Sequence, residues 1–160
     1  IARLEKQGKL IGVITQNIDG FHQKAGNQKV LELHGTNREV VCLTCGRVDP
    51  FDPVYERLLK GEAIPLCLHC GGLLKPNTIS FGQALDPDVL QLAVTWSRDC
   101  DLMLAVGSTL IVEPAASLPR IAKQAGAKLV IINRDPTPLD ALADIVLSGN
   151  AGAILDQAIP

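Results

Sequence analysis

The chain has 160 residues, of which 47% are apolar and 20% are charged, and its formal net charge is −2. This composition excludes an intrinsically disordered protein, because disorder requires low hydrophobicity and high net charge. The chain has no basic excess and only five aromatic residues, three Phe, one Trp and one Tyr. We therefore expect no direct nucleic-acid partner.

The N-terminal residues 1–7 form a helix-like run that ends before Gly8 and has no capping residue in front of it. This pattern predicts that further sequence precedes Ile1 in the natural protein, so we interpret the chain as an N-terminally truncated fragment. No basic and apolar leader is present, which predicts a cytoplasmic protein. No apolar run approaches the roughly 18 residues of a membrane span, and we expect no membrane partner.

Short apolar runs alternate with helical patterns along most of the chain. Strands are predicted over 10–15, 30–33, 78–81, 102–106, 128–133 and 145–148. Helices are predicted over 1–7, 21–25, 86–97, 115–125 and 151–159. Strands that are apolar throughout and alternate with helices are typical of a parallel sheet covered on both faces. The predicted class is α/β, with a Rossmann-like parallel sheet and helices on both faces.

The amino-acid composition changes between residues 38 and 76. This stretch contains four cysteines, several Gly and Pro residues, and one amphipathic segment near 53–60. We interpret residues 38–76 as a small inserted module. Residues 1–37 and 77–160 are then the two parts of a Rossmann-like domain that is incomplete at its N-terminus.

Two Cys-x2-Cys motifs, separated by 21 residues, lie inside this module. Together they offer four thiolates to one tetrahedral Zn²⁺, which leaves no open position for water and predicts one structural zinc per chain. The predicted ligands are Cys42, Cys45, Cys67 and Cys70. Two disulfides are the alternative, but cytosolic thiols stay reduced. His69, inside the second motif, is interpreted as a solvated loop residue because four thiolates suffice.

Polar and glycine residues follow several of the predicted strands. They lie in segments 15–20, 34–35, 107–109 and 133–134. In doubly wound sheets, ligands bind outside the carboxyl ends of the strands, so these segments predict a ligand site at that edge. Each segment alone is also a common turn sequence, because Asn, Asp and Gly favour turns.

In their order along the chain, these motifs resemble the sirtuin family, the NAD⁺-dependent protein-lysine deacylases. The matching segments are TQNIDGFHQKAG, LHG, the two cysteine pairs, KPNTISFGQAL, AVGSTLIVEPAASLP and VIIN, from about residue 10 to residue 133. The resemblance implies a Rossmann-like NAD domain with a zinc module. It also implies a deacetylase that takes an acyl-lysine protein or peptide, transfers the acyl group to ADP-ribose and releases nicotinamide.

The resemblance also implies roles for individual residues. His34 would be the general base that accepts a proton from an NAD ribose hydroxyl, a task suited to a side chain with an unperturbed pKa of about 6.5. The nicotinamide and ribose pocket would contain Gln16, Asn17 and Asp19, the last two counted with His34 as catalytic. The adenosine half of NAD would contact Gly107, Ser108, Thr109, Asn133 and Arg134. The acyl-lysine peptide would lie beside Ile79, Phe81, Gly82, Val112 and Glu113.

The sequence departs from the family pattern in three respects. The glycine-rich stretch that precedes the first match in the family is not in this chain, so we expect the fragment to be inactive alone. Gln83 stands where FGE is usual, and GST replaces GTS. The remaining residues do not indicate which acyl group the protein prefers. Two alternatives stay open, a zinc-ribbon module that binds proteins on an α/β scaffold and an NAD-dependent mono-ADP-ribosyltransferase.

Overall fold

The structure, a computed structural model, describes residues 1–159. These residues form two compact units, Ile1–Val89 and a second unit from Leu90 onward. Parallel strands and helices occur in both units, which confirms the predicted α/β class. The predicted boundaries of the inserted module, at residues 38 and 76, stay a prediction.

The first unit contains a short parallel sheet and an antiparallel sheet. Its elements are α1 (Ala2–Lys6), β1 (Val13–Thr15), α2 (Phe21–Lys24), β2 (Val30–Glu32), β3 (Gly35–Cys42), β4 (Val48–Pro50), α3 (Phe51–Leu59) and β5 (Leu74–Thr78). Strands β1 and β2 pair in parallel, and helix α2 lies between them in the chain. The antiparallel sheet has the order β4-β3-β5. A further helix, α4 (Pro87–Asp99), starts in this unit and ends in the next.

The second unit is a three-stranded parallel sheet with the order β6-β7-β8. Its elements are β6 (Leu102–Val106), a 3₁₀ turn (Ala115–Ser117), α5 (Leu118–Gln124), β7 (Lys128–Asn133), a second 3₁₀ turn (Asp140–Leu142), β8 (Ile145–Ser148) and α6 (Ala151–Ala158). The core is aliphatic, as expected from the scarcity of aromatic residues, and consists of Ala105, Leu110, Leu129, Ile131 and Leu139. The central strand β7 supplies Leu129 and Ile131, both almost completely buried.

The prediction of a strand over 78–81 is wrong. The strand is β5, Leu74–Thr78, and its ladder with β3 pairs Leu74 with Cys42 and Thr78 with Gly35. Ile79 and Phe81 favoured a strand over 78–81, but the ladder with β3 includes only Thr78 of these residues and otherwise uses the residues before it. The predicted substrate residue Ile79 therefore lies just beyond the strand.

The helix predicted over 115–125 begins later than expected. Residues Ala115–Ser117 form a 3₁₀ turn, and the α-helix begins at Leu118. This start places Pro119 in the first helical turn, where a missing backbone N–H costs no intrahelical hydrogen bond.

Strands β3 and β4 were not predicted at all. Their residues lack a continuous apolar pattern, and cross-strand pairing selects them.

Candidate functional site

The four predicted zinc ligands form one cluster, and this grouping is confirmed. Their sulfur atoms all lie within 4.8 Å of one another. The Sγ atoms of Cys42 and Cys70 are 3.5 Å apart, and those of Cys45 and Cys67 are 3.9 Å apart. These separations exceed the roughly 2.05 Å of a disulfide and suit thiolates about 2.3 Å from a central zinc ion. The disulfide alternative is wrong, since all four cysteines are free.

Two equivalent turns present these thiols. The amide of Gly46 donates to the carbonyl of Cys42 at 2.9 Å, and the amide of Gly71 donates to the carbonyl of Cys67 at 2.8 Å. Both glycines have left-handed backbones, with φ of 71° and 74°. Glycine adopts this conformation without steric cost, so each Cys-x2-Cys-Gly segment closes tightly around its pair of sulfurs.

The electrostatics of the cluster favour a bound cation. Backbone amides, first that of Cys45, and the neighbouring thiols lower the pKa of Cys42 to about 6. At Cys70 the Gly72 amide also lowers the pKa, but the other three thiols and burial outweigh this effect and raise the pKa to about 12. Four thiols this close cannot all ionise without a positive charge between them. A divalent cation supplies that charge and deprotonates its ligands.

The loop of residues 15–20, which begins at the last residue of β1, is held by residues that follow β2. Three hydrogen bonds make this connection: Leu33 N to Thr15 O at 2.9 Å, His34 Nδ1 to Gln16 O at 3.1 Å, and Asn37 N to Ile18 O at 2.9 Å. Parallel pairing of β1 with β2 brings the ends of both strands to the same place. The structure therefore brings the predicted residues of the 15–20 loop next to His34.

The hydrogen bond of His34 defines its tautomer. The Gln16 carbonyl can only accept a hydrogen bond, so the Nδ1 atom of the neutral ring must carry the proton. The Nε2 atom then keeps its lone pair and can accept a proton. The backbone of His34 is held as well, because its carbonyl accepts a hydrogen bond from the Ile79 amide at 2.9 Å. The candidate base thus lies next to the first predicted substrate residue.

The contact between His34 and Ile79 depends on a close approach of β3 and β5 at Gly35. Its φ is +73°, and a Cβ atom at this position would lie 2.2 Å from the carbonyl oxygen of Asn77. Only glycine fits between these two backbones. The predicted residues Phe81 and Gly82 follow in an exposed turn after β5, in which the side chain of Phe81 is fully exposed.

The side chain of Asp19 has a structural partner. Its Oδ1 atom accepts a hydrogen bond from the Phe21 amide at 2.9 Å, at the start of α2. The amide of Asn17 donates to Oγ1 of Thr15 at 3.1 Å, and Asn17 is exposed. Asn17 is therefore oriented through its backbone, with its amide side chain open to a ligand.

In the second unit, an open cavity of about 390 Å³ lies at the ends of the parallel strands. It is lined by Gly107, Asn133, Arg134, Asp135, Gly149, Asn150, Ala151 and Gly152. The structure thus brings together three of the five residues predicted to hold adenosine. Ser108 and Thr109 are not among the lining residues, and the Ser108 hydroxyl accepts a hydrogen bond from the Leu110 amide at 3.2 Å.

Sequence reasoning missed the 149–152 side of this cavity. Gly149 follows β8 directly, and Asn150 caps helix α6 by accepting a hydrogen bond from the Ala153 amide at 3.0 Å. A strand followed by glycine, a capping residue and a helix is the arrangement that places backbone N–H groups at a ligand site. The sequence GNAG at 149–152 carried that signal. The predicted substrate residues Val112 and Glu113 also belong to this unit, and Glu113 accepts a hydrogen bond from the Ser117 hydroxyl at 2.7 Å.

Parallel strands ending in polar residues, together with a four-cysteine cluster suited to zinc, define an α/β ligand-binding protein with a structural metal module. The model of the Sir2 family matches residues 1–114. The chain belongs to the Sir2 family, as the motif resemblance predicted. Within the described residues, no helix is both long and apolar enough to cross a membrane.

Curated relatives resemble the chain along nearly its whole length. It is 50% identical over 157 residues to NAD-dependent protein deacetylase 2 of Streptomyces coelicolor, covering 97% of this chain and 65% of the relative. It is 46% identical over 159 residues to an NAD-dependent protein deacetylase of Thermodesulfovibrio yellowstonii, covering 99% and 62%. It is 44% identical over 160 residues to NAD-dependent protein deacylase 2 of Archaeoglobus fulgidus, covering 99% and 63%. The chain thus spans less than two thirds of the length of these relatives.

Solved structures share the fold. One described as "Sir2-p53 peptide-NAD+" superimposes with a TM-score of 0.89 at 39% identity, covering 98% of this chain and 67% of that chain. Another, "Sir2 bound to acetylated peptide", gives a TM-score of 0.89 at 38% identity with the same coverage. These similarities confirm the predicted sirtuin fold.

Proposed function

We propose that this chain is part of an NAD-dependent protein-lysine deacylase, which transfers an acyl group from lysine to ADP-ribose and releases nicotinamide. The observation that carries the proposal is the hydrogen bond between His34 Nδ1 and the Gln16 carbonyl. It leaves Nε2 of a half-buried histidine free to accept a proton, beside a loop of amide and carboxylate side chains. The family membership and the names of the relatives support the same activity.

His34 is the general base in this proposal. A positioned base within hydrogen-bond reach of a hydroxyl contributes about 10²–10⁴-fold in rate. NAD supplies the ribose hydroxyl and carries nicotinamide as the leaving group. Gln16, Asn17 and Asp19 border the nicotinamide and ribose, and the three hydrogen bonds that hold the 15–20 loop keep their backbones in place.

The cavity of the second unit fits the adenosine half of NAD. Its volume of about 390 Å³ falls in the range of about 300–1,000 Å³ found for small-molecule sites. Gly107 has a φ of +60°, and no atom lies within 4 Å of where its Cβ would stand, so a ligand can approach the backbone there. Asn133 and Arg134 offer polar groups at the end of β7, and Ser108 and Thr109 follow Gly107 with further hydroxyls.

The four-cysteine cluster holds one structural Zn²⁺ in this proposal. The ligands would be Cys42, Cys45, Cys67 and Cys70, whose sulfur separations suit a tetrahedral ion. Four thiolates leave no position for water, so the ion stabilises the antiparallel sheet and does not take part in the reaction. Because the cluster needs reduced thiols, we further propose that the protein is cytoplasmic.

The acyl-lysine substrate would bind as an extended peptide. Such peptides add main-chain hydrogen bonds to exposed backbone and place side chains in flanking contacts. Exposed apolar residues border the turn after β5 and the segment after β6, namely Phe81 and Val112. In the first unit the proposed peptide contacts are Ile79, Phe81 and Gly82, and in the second unit they are Val112 and Glu113.

Product analysis with the whole protein tests the activity. An acetyl-lysine peptide, NAD and one water molecule should yield the deacetylated peptide, nicotinamide and O-acetyl-ADP-ribose in equal amounts, measured by mass spectrometry. Nicotinamide release that leaves the peptide acetylated and attaches ADP-ribose to protein would instead identify a mono-ADP-ribosyltransferase. Zinc content without any nicotinamide release would favour a protein-binding zinc module.

A further inference from the structure

We propose that Arg38 is a positioning residue, which holds the 15–20 loop so that the Gln16 carbonyl fixes the tautomer of His34. This inference adds a positioning residue to the proposed function. It rests on that function for the catalytic role of His34. The contacts that carry it involve a β-bulge, a glycine turn and a half-buried carboxylate, all in the first unit.

The bulge interrupts the ladder between β3 and β5. Thr36 pairs with Asn77, but the next pair joins Val40 to Pro76, so residues 37–39 have no partner residue on β5. Bulges of this kind redirect a strand and its side chains, often beside a functional site. Here the bulge releases the Asn37 amide from the ladder, and this amide donates to the Ile18 carbonyl of the 15–20 loop.

Arg38, in the middle of the bulge, covers the end of the same loop. A Cβ atom on Gly20 would lie 2.5 Å from both Cδ and Nε of Arg38, so the arginine side chain packs directly on the glycine backbone. Gly20 is buried and has a left-handed φ of +69°. A side chain at residue 20 would have to displace the end of the Arg38 side chain, so the loop and Arg38 are in direct contact here.

A carboxylate on β2 holds the arginine in this place. The Nη2 atom of Arg38 lies 3.5 Å from Oε2 of Glu32, and its Nε lies 3.4 Å from Oγ1 of Thr36. The side chain of Glu32 is only 14% exposed, and its Oε1 atom is buried without a hydrogen-bond partner among the described residues. Loss of Arg38 would leave this carboxylate without its paired cation, which is unfavourable for a group so little hydrated.

Loss of Arg38 would affect His34 through the Gln16 carbonyl. Without Arg38, the loop would be uncovered at Gly20, and Glu32 on the neighbouring strand β2 would lose its paired cation. A shift of Gln16 by about 1 Å would break the 3.1 Å bond to Nδ1. The imidazole would then be free to carry its proton on Nε2, the atom that must stay unprotonated in a general base.

Nitrogen-15 NMR of the imidazole in the whole, zinc-loaded protein tests this inference without reference to activity. In the neutral ring, His34 should carry its proton on Nδ1 in the wild type. In Arg38→Met, the Nε2-protonated form should become at least as abundant, and the Asn37 amide should exchange with solvent at least 10-fold faster. Arg38→Lys, which keeps a cation for Glu32, should restore most of the wild-type signature. Arg120→Met, an exposed arginine on α5, is the matched control and should change neither signal.

Retention of the Nδ1 proton and of Asn37 protection in Arg38→Met would overturn the proposal. If that variant does not fold, Arg38→Gln keeps part of the stem without the charge and is judged by the same two signals. In the whole protein, Arg38→Met should lower kcat about 10–10²-fold with the peptide KM changed less than about twofold, as expected for misplacement of a catalytic group. If the wild type shows no deacylation while Arg38→Met still changes the tautomer, the proposed function fails and the positioning role stands.

Discussion

At the scale of single residues, His34 combines a structural contact with the proposed chemistry. Its hydrogen bond to Gln16 is one contact of about 0.5–1.5 kcal/mol, so its loss alone cannot unfold the first unit. The catalytic contribution of a general base is larger, at about 10²–10⁴-fold in rate. Activity and stability should therefore respond very differently to removal of this side chain.

We predict that His34→Ala in the whole protein lowers the single-turnover rate of deacylation by about 10²–10⁴-fold. Its melting temperature should fall by only a few degrees, and NAD binding should change little, because the proposed adenosine contacts lie in the second unit. His22→Ala, on helix α2, is the control and should deacylate normally. A His34→Ala protein that melts normally and reacts at the wild-type rate would remove His34 from the mechanism.

Gly35 allows a second prediction at this scale. Gly35→Ala forces an alanine into a left-handed conformation, which costs about 1–2 kcal/mol, and places its Cβ 2.2 Å from the Asn77 carbonyl. The free energy of unfolding, measured with urea, should fall by more than the strain alone. Gly61→Ala measures that strain by itself, since Gly61 also has a positive φ but no atom within 4 Å. Equal losses in the two variants would contradict the close approach of β3 and β5.

At the scale of elements, the carboxylate of Asp144 joins α5 to β7. It accepts hydrogen bonds from Lys123 Nζ, from the Leu129 amide at 2.8 Å and from Lys128 Nζ at 3.2 Å. These partners, first Lys123, hold the pKa of Asp144 far below its usual range. A carboxyl whose pKa is lowered by folding stabilises the native state above its ordinary pKa of about 3.9 and loses that contribution as the pH falls.

We therefore predict that Asp144→Asn lowers the melting temperature at pH 7. The difference from the wild type should shrink as the pH falls below about 4, because the Asp144 carboxyl of the unfolded chain then takes up a proton while that of the folded protein stays ionised to lower pH. Thermal unfolding followed by circular dichroism from pH 7 to pH 2 measures this trend. Asp156→Asn, at an exposed position on α6, should show no such dependence. A difference that stays constant down to pH 2 would show that the charge of Asp144 is not what stabilises the contact.

At the scale of the whole molecule, the four-cysteine cluster joins distant segments of the first unit. Cys42 ends β3, and Cys67 and Cys70 precede β5, so one ion would tie together segments distant in the chain. Metal binding to such sites contributes directly to folding, with apparent values of about 10–16 kcal/mol in small zinc-finger peptides. The second unit has its own aliphatic core and should depend on the ion less.

We predict one zinc ion per chain in reduced, purified protein, measured by elemental analysis. Cys67→Ala should lose the ion and the hydrogen-exchange protection of β3, β4 and β5, while β6 and β7 keep most of theirs. Cys100→Ala is the matched control, because Cys100 lies outside the cluster, and its zinc content should be unchanged. Protein that contains no zinc, or a Cys67→Ala variant with full protection in β3, would contradict a structural zinc site.

The sequence by itself determined the family, the zinc-ligand cluster and most helices and parallel strands, because motif spacing and apolar runs are local properties of the chain. Apolar strands such as β6 and β7 are recognisable without their partners, since burial on both faces requires continuous apolar residues. The tertiary structure alone decided where β5 lies, how the bulge at residues 37–39 places Arg38, and that residues 149–152 line the cavity. These features arise from pairings between residues far apart in the chain, for which no local pattern exists. The hydrogen bond between His34 and Gln16 belongs to the same group, because it joins residues 18 positions apart and depends on the parallel pairing of β1 with β2.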